Sequence, residues 1–367
     1  MKTTIKVLHI ISSLGQGGAE RQLVELIKKN KNHAICQLMS GGEYEKYVKS
    51  NNLPLYDLGL KKSILDIFKL YRLYIIIKKF KPDVIHTWMY HASLIEVILR
   101  KIIKNNHIPL VWGMRCSDMD TSHYSKQLKI VIKACNYFSN SPNIIVNNSK
   151  IGGNFHKSIG FKSKHITISN GIDTNLFKPN EEFKLNFRRQ LNIEIDTKVL
   201  LCVARHDAMK DHVTLINSFT KLRKLYPETI LILAGTGTEN INDNEGIIKL
   251  GACSNIEEVY SSSDIIISSS AFGEGFSNAI GEGMSSGLIP IATNVGDAEF
   301  IIGNTGLIVE PRDENNLLIA MKSILELENK IFLNKKLEAR KRICEYFSKD
   351  LMLDAYNKLY TNLILKE

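Results

Sequence analysis

DIIISSSAFGEGFSNAIGEGMSSGLIPIATN, residues 264–294, holds in one stretch the unit from which the fold is built. A β-branched run, 264–270, ends at Ser270 in a glycine-rich loop, a helix is expected from Ser277 or Asn278, and a second β-branched run follows at 289–294. Strand, helix and strand in that order predict a parallel pair joined by a crossover, because a tight hairpin can connect only antiparallel neighbours.

The same rhythm extends in both directions. In the second half further strands are expected at 198–205, 229–235, 247–251 and 307–311, and in the first half at 5–11, 33–39, 83–88, 109–114, 143–148 and 165–170, with helical segments between them. Alternation of this kind predicts an α/β protein made of two doubly wound, Rossmann-like domains. The boundary is expected in NGIDTNLFKPNEE (170–182), a polar, turn-rich stretch in which Pro179 blocks helix propagation. A chain of 367 residues has the length of two such domains.

Composition excludes several classes. With 44% hydrophobic and 23% charged residues the chain is neither disordered nor collagenous, and no apolar run reaches the roughly 18–20 residues needed to span a bilayer. The apolar stretch at 5–11 is short and no small-residue cleavage site follows it, so a cytoplasmic protein is expected. Six scattered cysteines form no C-x-x-C pair and read as reduced, mostly buried thiols. The net charge of +10 is uneven: residues 1–180 carry 27 basic and 11 acidic side chains, whereas residues 181–367 carry 21 and 27. The positive excess belongs to the first half, where it suits a polyanionic surface.

Three places offer chemistry. SSLGQGGAERQLVELIKK (12–29) is a glycine-rich turn opening a helix, where backbone amides and the helix dipole can meet a phosphate or sugar. A tight strand-to-helix turn would need no more. Dinucleotide binding is disfavoured, since Glu20 stands where the fingerprint requires a glycine and Leu38 and Met39 stand where it requires an acid. In VARHDAMKDH (203–212), Arg205 and Lys210 follow a strand at the carboxyl edge of a parallel sheet, placed to neutralise a diphosphate. In EGFSNAIGE (274–282), the first amides of a helix can hold phosphate oxygens, while Glu274 and Glu282 can accept hydrogen bonds from sugar or ribose hydroxyls. Otherwise these charges would be a helix-dipole partner and solvated side chains.

Taken together, GGAER, ISNGIDTNLFKP, VARHDAMKDH, EGFSNAIGE and NVGDAEFI with NTGLIVEP resemble, in order and approximate spacing over nearly the whole chain, the retaining glycosyltransferases of family four, also described as glycosyl transferases group 1. The resemblance implies the GT-B fold, with two Rossmann-like domains facing each other across a cleft. It implies an acceptor-binding domain at 1–175, a nucleotide-sugar domain at 176–345, and a C-terminal helix at 346–367 packing back on the first. By the same resemblance Arg205 and Lys210 neutralise the donor diphosphate, Glu282 holds the ribose, and Glu274 lies beside the donor sugar. Amides at Phe276, Ser277 and Asn278 face the phosphates, and Gly17 and Gly18 form the first-domain loop. No cofactor or metal is implied, because cations and helix N-termini supply the positive charge.

One departure stands out. Many relatives carry a histidine after the fourth strand of the first domain, where PLVWGMRCSD places Arg115, which can stabilise charge but cannot act as a base. His86 and His91 in DVIHTWMYHA are kept as candidate substrate-contacting histidines, with structural roles as the alternative. Asp118 and Asp120 form a D-x-D that metal-binding transferases of another fold use; two α/β domains argue against that use here. The segment at 60–82 mixes Lys61, Lys62, Lys69, Arg72, Lys78 and Lys79 with apolar residues, as either a crossover helix or a basic helix lying on anionic lipid.

The expectation is therefore a metal-independent retaining transferase of hexosyl or N-acetylhexosaminyl type. It would move a sugar from a nucleotide-sugar, UDP-linked by expectation, to a lipid-linked oligosaccharide or polysaccharide precursor such as O-antigen or capsule. The place of work would be the cytoplasm, peripheral to the inner face of the membrane. A nucleotide-sugar 2-epimerase of the same architecture is the alternative, and a nucleic-acid-binding protein is a more distant one.

Overall fold

Thirteen short strands account for both sheets of the computed structural model, which describes residues 5–15, 17–61, 69–103, 107–117 and 125–365. In chain order they are β1 (Val7–Ile11), β2 (His33–Gln37), β3 (Leu55–Asp57), β4 (Val84–Trp88), β5 (Leu110–Met114), β6 (Ile144–Asn147), β7 (His165–Thr167), β8 (Val199–Val203), β9 (Ile230–Ala234), β10 (Ile247–Gly251), β11 (Ile265–Ser268), β12 (Ile289–Thr293) and β13 (Leu307–Val309). The first sheet has the order β3-β2-β1-β4-β5-β6-β7 and the second β10-β9-β8-β11-β12-β13. Every pairing is parallel.

All twelve expected strands are present. β3 was not expected: it has three half-buried residues at a sheet edge, too few to show a period, and only its register with β2 (Ile35 opposite Leu55) identifies it. The central strands are continuous apolar runs because helices cover both faces. In β1, Leu8 and Ile10 enter one core with Trp112 and Leu73, while Val7 and Ile11 enter the other with Trp88 and Tyr356. This is the two-residue alternation of a strand.

The chain divides into one unit of residues 1–170 and 352–367 and a second of 171–351. These limits differ from the expected 175/176 and 345/346 for a physical reason. Ile172 is fully buried in the second unit's core and pairs with Ser348, its N–H donating to Phe347 O at 2.8 Å and its carbonyl accepting from Lys349 N at 2.8 Å. Asp173 forms an ion pair with Lys349, and Arg340 Nη1 donates to Phe177 O at 3.1 Å. The stretch in which the boundary is expected is thus fastened to the second unit from its second residue on. Tyr346 ends the helix Asn329–Tyr346, and a separate helix, Lys349–Ile364, buries Met352, Leu353, Tyr356, Leu359 and Tyr360 in the first unit.

Four of the cysteines are buried, Cys253 and Cys344 are half-buried, and all six are free thiols. Burial pushes the Cys36 and Cys202 thiols up to about 12, so neither is a nucleophile near neutrality. Among the described residues no helix is long and apolar enough to cross a membrane. Asp118, Asp120 and Lys62 lie outside the described residues.

Candidate active site

In the second sheet β8 and β11 are neighbours, and the strand order runs away from them in opposite directions, toward β9 on one side and β12 on the other. That is the topological switch point, where the loops leaving the two strands diverge and open a crevice. From β8 the chain passes through Ala204–Asp207 into a 3₁₀ turn, Ala208–Lys210, and then the helix His212–Arg223. Asp207 caps the turn by accepting from Met209 N at 2.9 Å, and Asp211, at φ 44°, caps the helix by accepting from Thr214 N at 3.2 Å. From β11 the chain passes through Ser269–Ser277 into the helix Asn278–Ser285.

The two loops are tied together. Ala271 N donates to Met209 O at 2.8 Å, and Ser269 Oγ donates to Lys210 O at 2.8 Å. Across this seam Lys210 Nζ forms an ion pair with Glu274 Oε1, which also accepts from Ser270 Oγ at 2.8 Å. Burial would raise the Glu274 carboxyl, but the charge and hydrogen bond of Lys210, with help from Ser270 and Arg205, hold it below the usual range. Arg205 is largely exposed, its Nε donating to Asp207 Oδ2 at 3.2 Å. A small pocket opens here, lined by Ala204, Lys210, Ser268, Ser269, Ser270 and Ser277.

The helix Asn278–Ser285 sits close to the sheet because two of its residues lack side chains. A Cβ on Gly283 would lie 2.7 Å from Ile266 Cβ, and one on Gly281 would lie 2.8 Å from Ile172 Cδ1. Ser277 is its N-cap and makes no side-chain cap bond. Phe276 is a core residue, with its ring 5.4 Å from that of Phe347, so only its backbone can face a ligand. Glu282 is 3% exposed, and its Oε2 accepts from Tyr260 Oη at 3.0 Å.

Three contributors here were not singled out from the sequence. Ser270 and Tyr260 hold the two glutamates. Gly296, at φ 61°, lies against the Glu274 loop so closely that a Cβ would stand 2.5 Å from Gly275 O and 2.6 Å from Glu274 O, and the adjacent Asp297 N donates to Gly275 O at 3.0 Å. The sequence signal was the glycine in NVGDAEF, whose purpose needs the partner loop to be visible.

In the first unit the switch point lies between β1 and β4. Gly17 is the N-cap of the helix Gly18–Lys28, and a Cβ on it would collide with the Glu20 carboxylate folded back toward it. Arg115 follows β5 with its guanidinium 4.5 Å from the Trp88 ring, donating from Nη1 to Asn170 Oδ1 at 2.6 Å and from Nη2 to Tyr356 Oη. Its hydrogen-bonding capacity is thus directed largely at its own unit. His86 is fully buried within β4, its Nδ1 2.8 Å from Tyr360 Oη and its ring stacked on Trp88 at 4.7 Å, and burial, Arg115 and His33 hold it well below the ordinary histidine range. It is a core histidine in this structure. His91 is exposed on the helix Met89–Ile103.

Residues 16–176 match the family model described as Glycosyltransferase Family 4, and residues 197–327 match Glycosyl transferases group 1. The chain belongs to the family four, group 1 glycosyltransferases. An uncharacterized glycosyltransferase of Methanocaldococcus jannaschii is 28% identical over 276 residues, 68% of this chain and 67% of that one. The N-acetylgalactosamine-N,N'-diacetylbacillosaminyl-diphospho-undecaprenol 4-alpha-N-acetylgalactosaminyltransferase of Campylobacter jejuni is 27% identical over 152 residues, 37% of this chain and 39% of that one. HepE of Anabaena, solved in complex with UDP-glucose, superposes with a TM-score of 0.83 over 98% of this chain and 100% of its own at 18% identity. The fold of this glycosyltransferase is accordingly GT-B, and the ion pair Lys210–Glu274 lies at the switch point of its group 1 half.

Proposed function

We propose that this glycosyltransferase binds a UDP-sugar in its second unit and transfers a hexosyl or N-acetylhexosaminyl group, with retention, to a lipid-linked oligosaccharide or polysaccharide precursor. The observation that carries the reading is the convergence of Arg205, Lys210, Glu274 and the N-terminus of Asn278–Ser285 at one sheet edge. Two cations and a helix N-terminus are suited to a departing diphosphate, and a carboxylate among them is suited to sugar hydroxyls. That HepE was solved with UDP-glucose supports the donor class, and the diphospho-undecaprenol named in the Campylobacter enzyme supports the acceptor class.

In this reading Arg205 and Lys210 take up the charge that develops on the diphosphate, so the leaving group requires no metal. Lys210 turns from Glu274 toward the phosphate as donor binds, and Glu274 then accepts from the sugar. The acceptor hydroxyl attacks the face from which the diphosphate departs and passes its proton to a phosphate oxygen. Glu282 holds the ribose, and Arg115 keeps the first unit's core in order. His91, on the exposed side of its helix, is assigned no part in the chemistry. The positive excess of the first half supports work at an anionic membrane surface, which in this reading is its cytoplasmic side.

A thermal-shift screen against UDP-, GDP-, ADP- and TDP-sugars tests the donor assignment. Stabilisation by several degrees with UDP-sugars alone is expected. Selective response to another base would reassign the donor, and silence toward all four would argue against a donor site.

A further inference from the structure

We infer that the layer of helices covering the Leu8/Ile10 face of the first sheet is the surface by which this protein docks on an anionic lipid bilayer. The inference deepens the reading of a lipid-linked acceptor and rests on it, but the surface itself is argued from charge and exposure. Three neighbouring helices, Leu70–Phe80, Met89–Ile103 and Lys126–Tyr137, form this layer, sending Leu73, Ile77, Val97, Leu99 and Cys135 into one core.

Their outer side has two properties at once. Tyr71, Ile75, Ile102, Ile130 and Tyr137 are between 47% and 79% exposed, a concentration of large apolar side chains that water alone does not favour. Around them the first helix exposes Arg72, Lys78 and Lys79, the second Lys101, and the third Lys126, Lys129 and Lys133. The three helices contain one acid, Glu96, which is buried and paired with Arg100 at 2.9 Å. No carboxylate on these helices therefore offsets the cations. Lys101 Nζ lies 4.9 Å from the centre of the Phe138 ring, which joins the end of the second helix to that of the third.

The opposite layer is the internal comparison. Two of its helices, Gly18–Lys28 and Glu43–Ser50, balance Arg21, Lys28, Lys46 and Lys49 with Glu20, Glu25, Glu43 and Glu45, and their one exposed large apolar side chain is Tyr47. Lysines with isoleucine and tyrosine between them fit an anionic interface, where stems and aliphatic groups enter the acyl boundary and ammonium groups meet phosphates. Nucleic acid fits less well, because the isoleucines offer no stacking surface.

The test uses the full-length protein in flotation with phosphatidylcholine vesicles, alone or with an equal share of phosphatidylglycerol, and no acceptor present. Omitting the acceptor separates this result from the acceptor assignment, which is read independently by transfer assays. Flotation is expected with the anionic vesicles only, and raised salt should weaken it. The triple variant Lys101→Glu, Lys129→Glu, Lys133→Glu should lose on the order of a hundredfold in vesicle affinity. Ile130→Asp with Tyr137→Ser should weaken binding in the native charge background, with melting temperature and UDP-sugar binding unchanged for both variants. Failure of the native protein to float, flotation of the triple variant equal to native, or salt-sensitive binding to an oligonucleotide in place of vesicles would each overturn the inference.

Discussion

Lys210 and Glu274, 64 positions apart in the chain, are joined as an ion pair over the seam between two strand-end loops, with the lysine 17% and the glutamate 12% exposed. The pair holds each charge in a narrow crevice before any ligand arrives, so little reorganisation remains when a diphosphate displaces the carboxylate from the ammonium. Lys210→Ala should lower turnover by a factor on the order of 10²–10³. It should also cost about 1–3 kcal/mol of stability, since the largely enclosed Glu274 loses its cation. Steady-state transfer rates and melting temperature check the two parts. Adding Glu274→Gln to Lys210→Ala should restore part of the stability and none of the rate.

Gly296 braces the same loop from its other side. Gly296→Ala puts a Cβ against the carbonyls of Gly275 and Glu274 and adds a side chain at φ 61°, so the Glu274 loop must shift. A loss of about 1–3 kcal/mol is expected, together with a fall in kcat larger than the change in nucleotide affinity. Gly41→Ala is the control: φ there is 104°, but nothing stands within 4 Å of the added Cβ, so stability should fall and kcat should not.

The contrast between Glu274 and Gly296 marks how far the sequence could be read. Strand runs such as VLLCV and ILILA declare themselves, because burial on both faces demands unbroken apolar residues. The placing of Arg205, Lys210 and Glu274 at one sheet edge was legible because each follows such a strand where α/β sheets bind ligands. Gly296, Ser270 and Tyr260 act on these residues through space, and a pairing between distant loops leaves no local pattern. The division falls at 170/171, at the very start of the stretch in which it was expected, for a related reason. NGIDTNLF has the composition of a linker, but Ile172 is captured by the backbone of Phe347 and Lys349 at the far end of the chain. His86 was kept as a candidate beside a structural role because a histidine within an apolar strand looks the same in sequence either way; the structure places its Nδ1 against Tyr360 Oη.

Tyr260→Phe isolates the support of Glu282. The buried carboxylate loses one donor, at about 1–3 kcal/mol, and should become less well placed for a ribose. Donor affinity is expected to fall several-fold in calorimetric titration, and Glu282→Ala should cost more, about tenfold to a hundredfold for a charged hydrogen-bonding partner. Equal affinity of native and Glu282→Ala proteins for UDP-sugar would remove Glu282 from the donor site.

Arg115→Lys keeps the charge and removes the fork that reaches Asn170 and Tyr356. Faster hydrogen exchange over 352–364 is expected, since the C-terminal helix loses a polar anchor, together with a loss of about 1–3 kcal/mol. If Arg115 instead binds an acidic group of the substrate, KM would rise with hydrogen exchange unchanged, and the two outcomes separate the roles.

Acid should loosen the first unit through its buried imidazoles. Trp88 Nε1 can only donate, and it reaches His9 Nδ1 at 3.2 Å; the His9 proton is therefore on Nε2, 3.1 Å from His33 Nδ1, and both rings are neutral. Burial, His33 and His86 hold His9 well below its ordinary range, and burial brings His33 to about 4. The unfolded chain takes up these protons near pH 6.5 and the folded one does not, so stability is full above that pH and falls as pH drops toward 4. Each such histidine contributes a slope of about 1.4 kcal/mol per pH unit in that window. His156 in the same unit and His212 in the second, each brought to about 4 chiefly by burial, add to the total. Glu274 acts in the same direction but at lower pH, because Lys210 holds its folded carboxyl below the range of a free glutamate. Denaturant titrations between pH 8 and pH 5 should give a plateau followed by a decline, and His33→Gln should reduce the slope of that decline by about one proton. A slope unchanged by the substitution would mean that His33 is already protonated in the folded protein and that the Trp88–His9–His33 chain is not neutral.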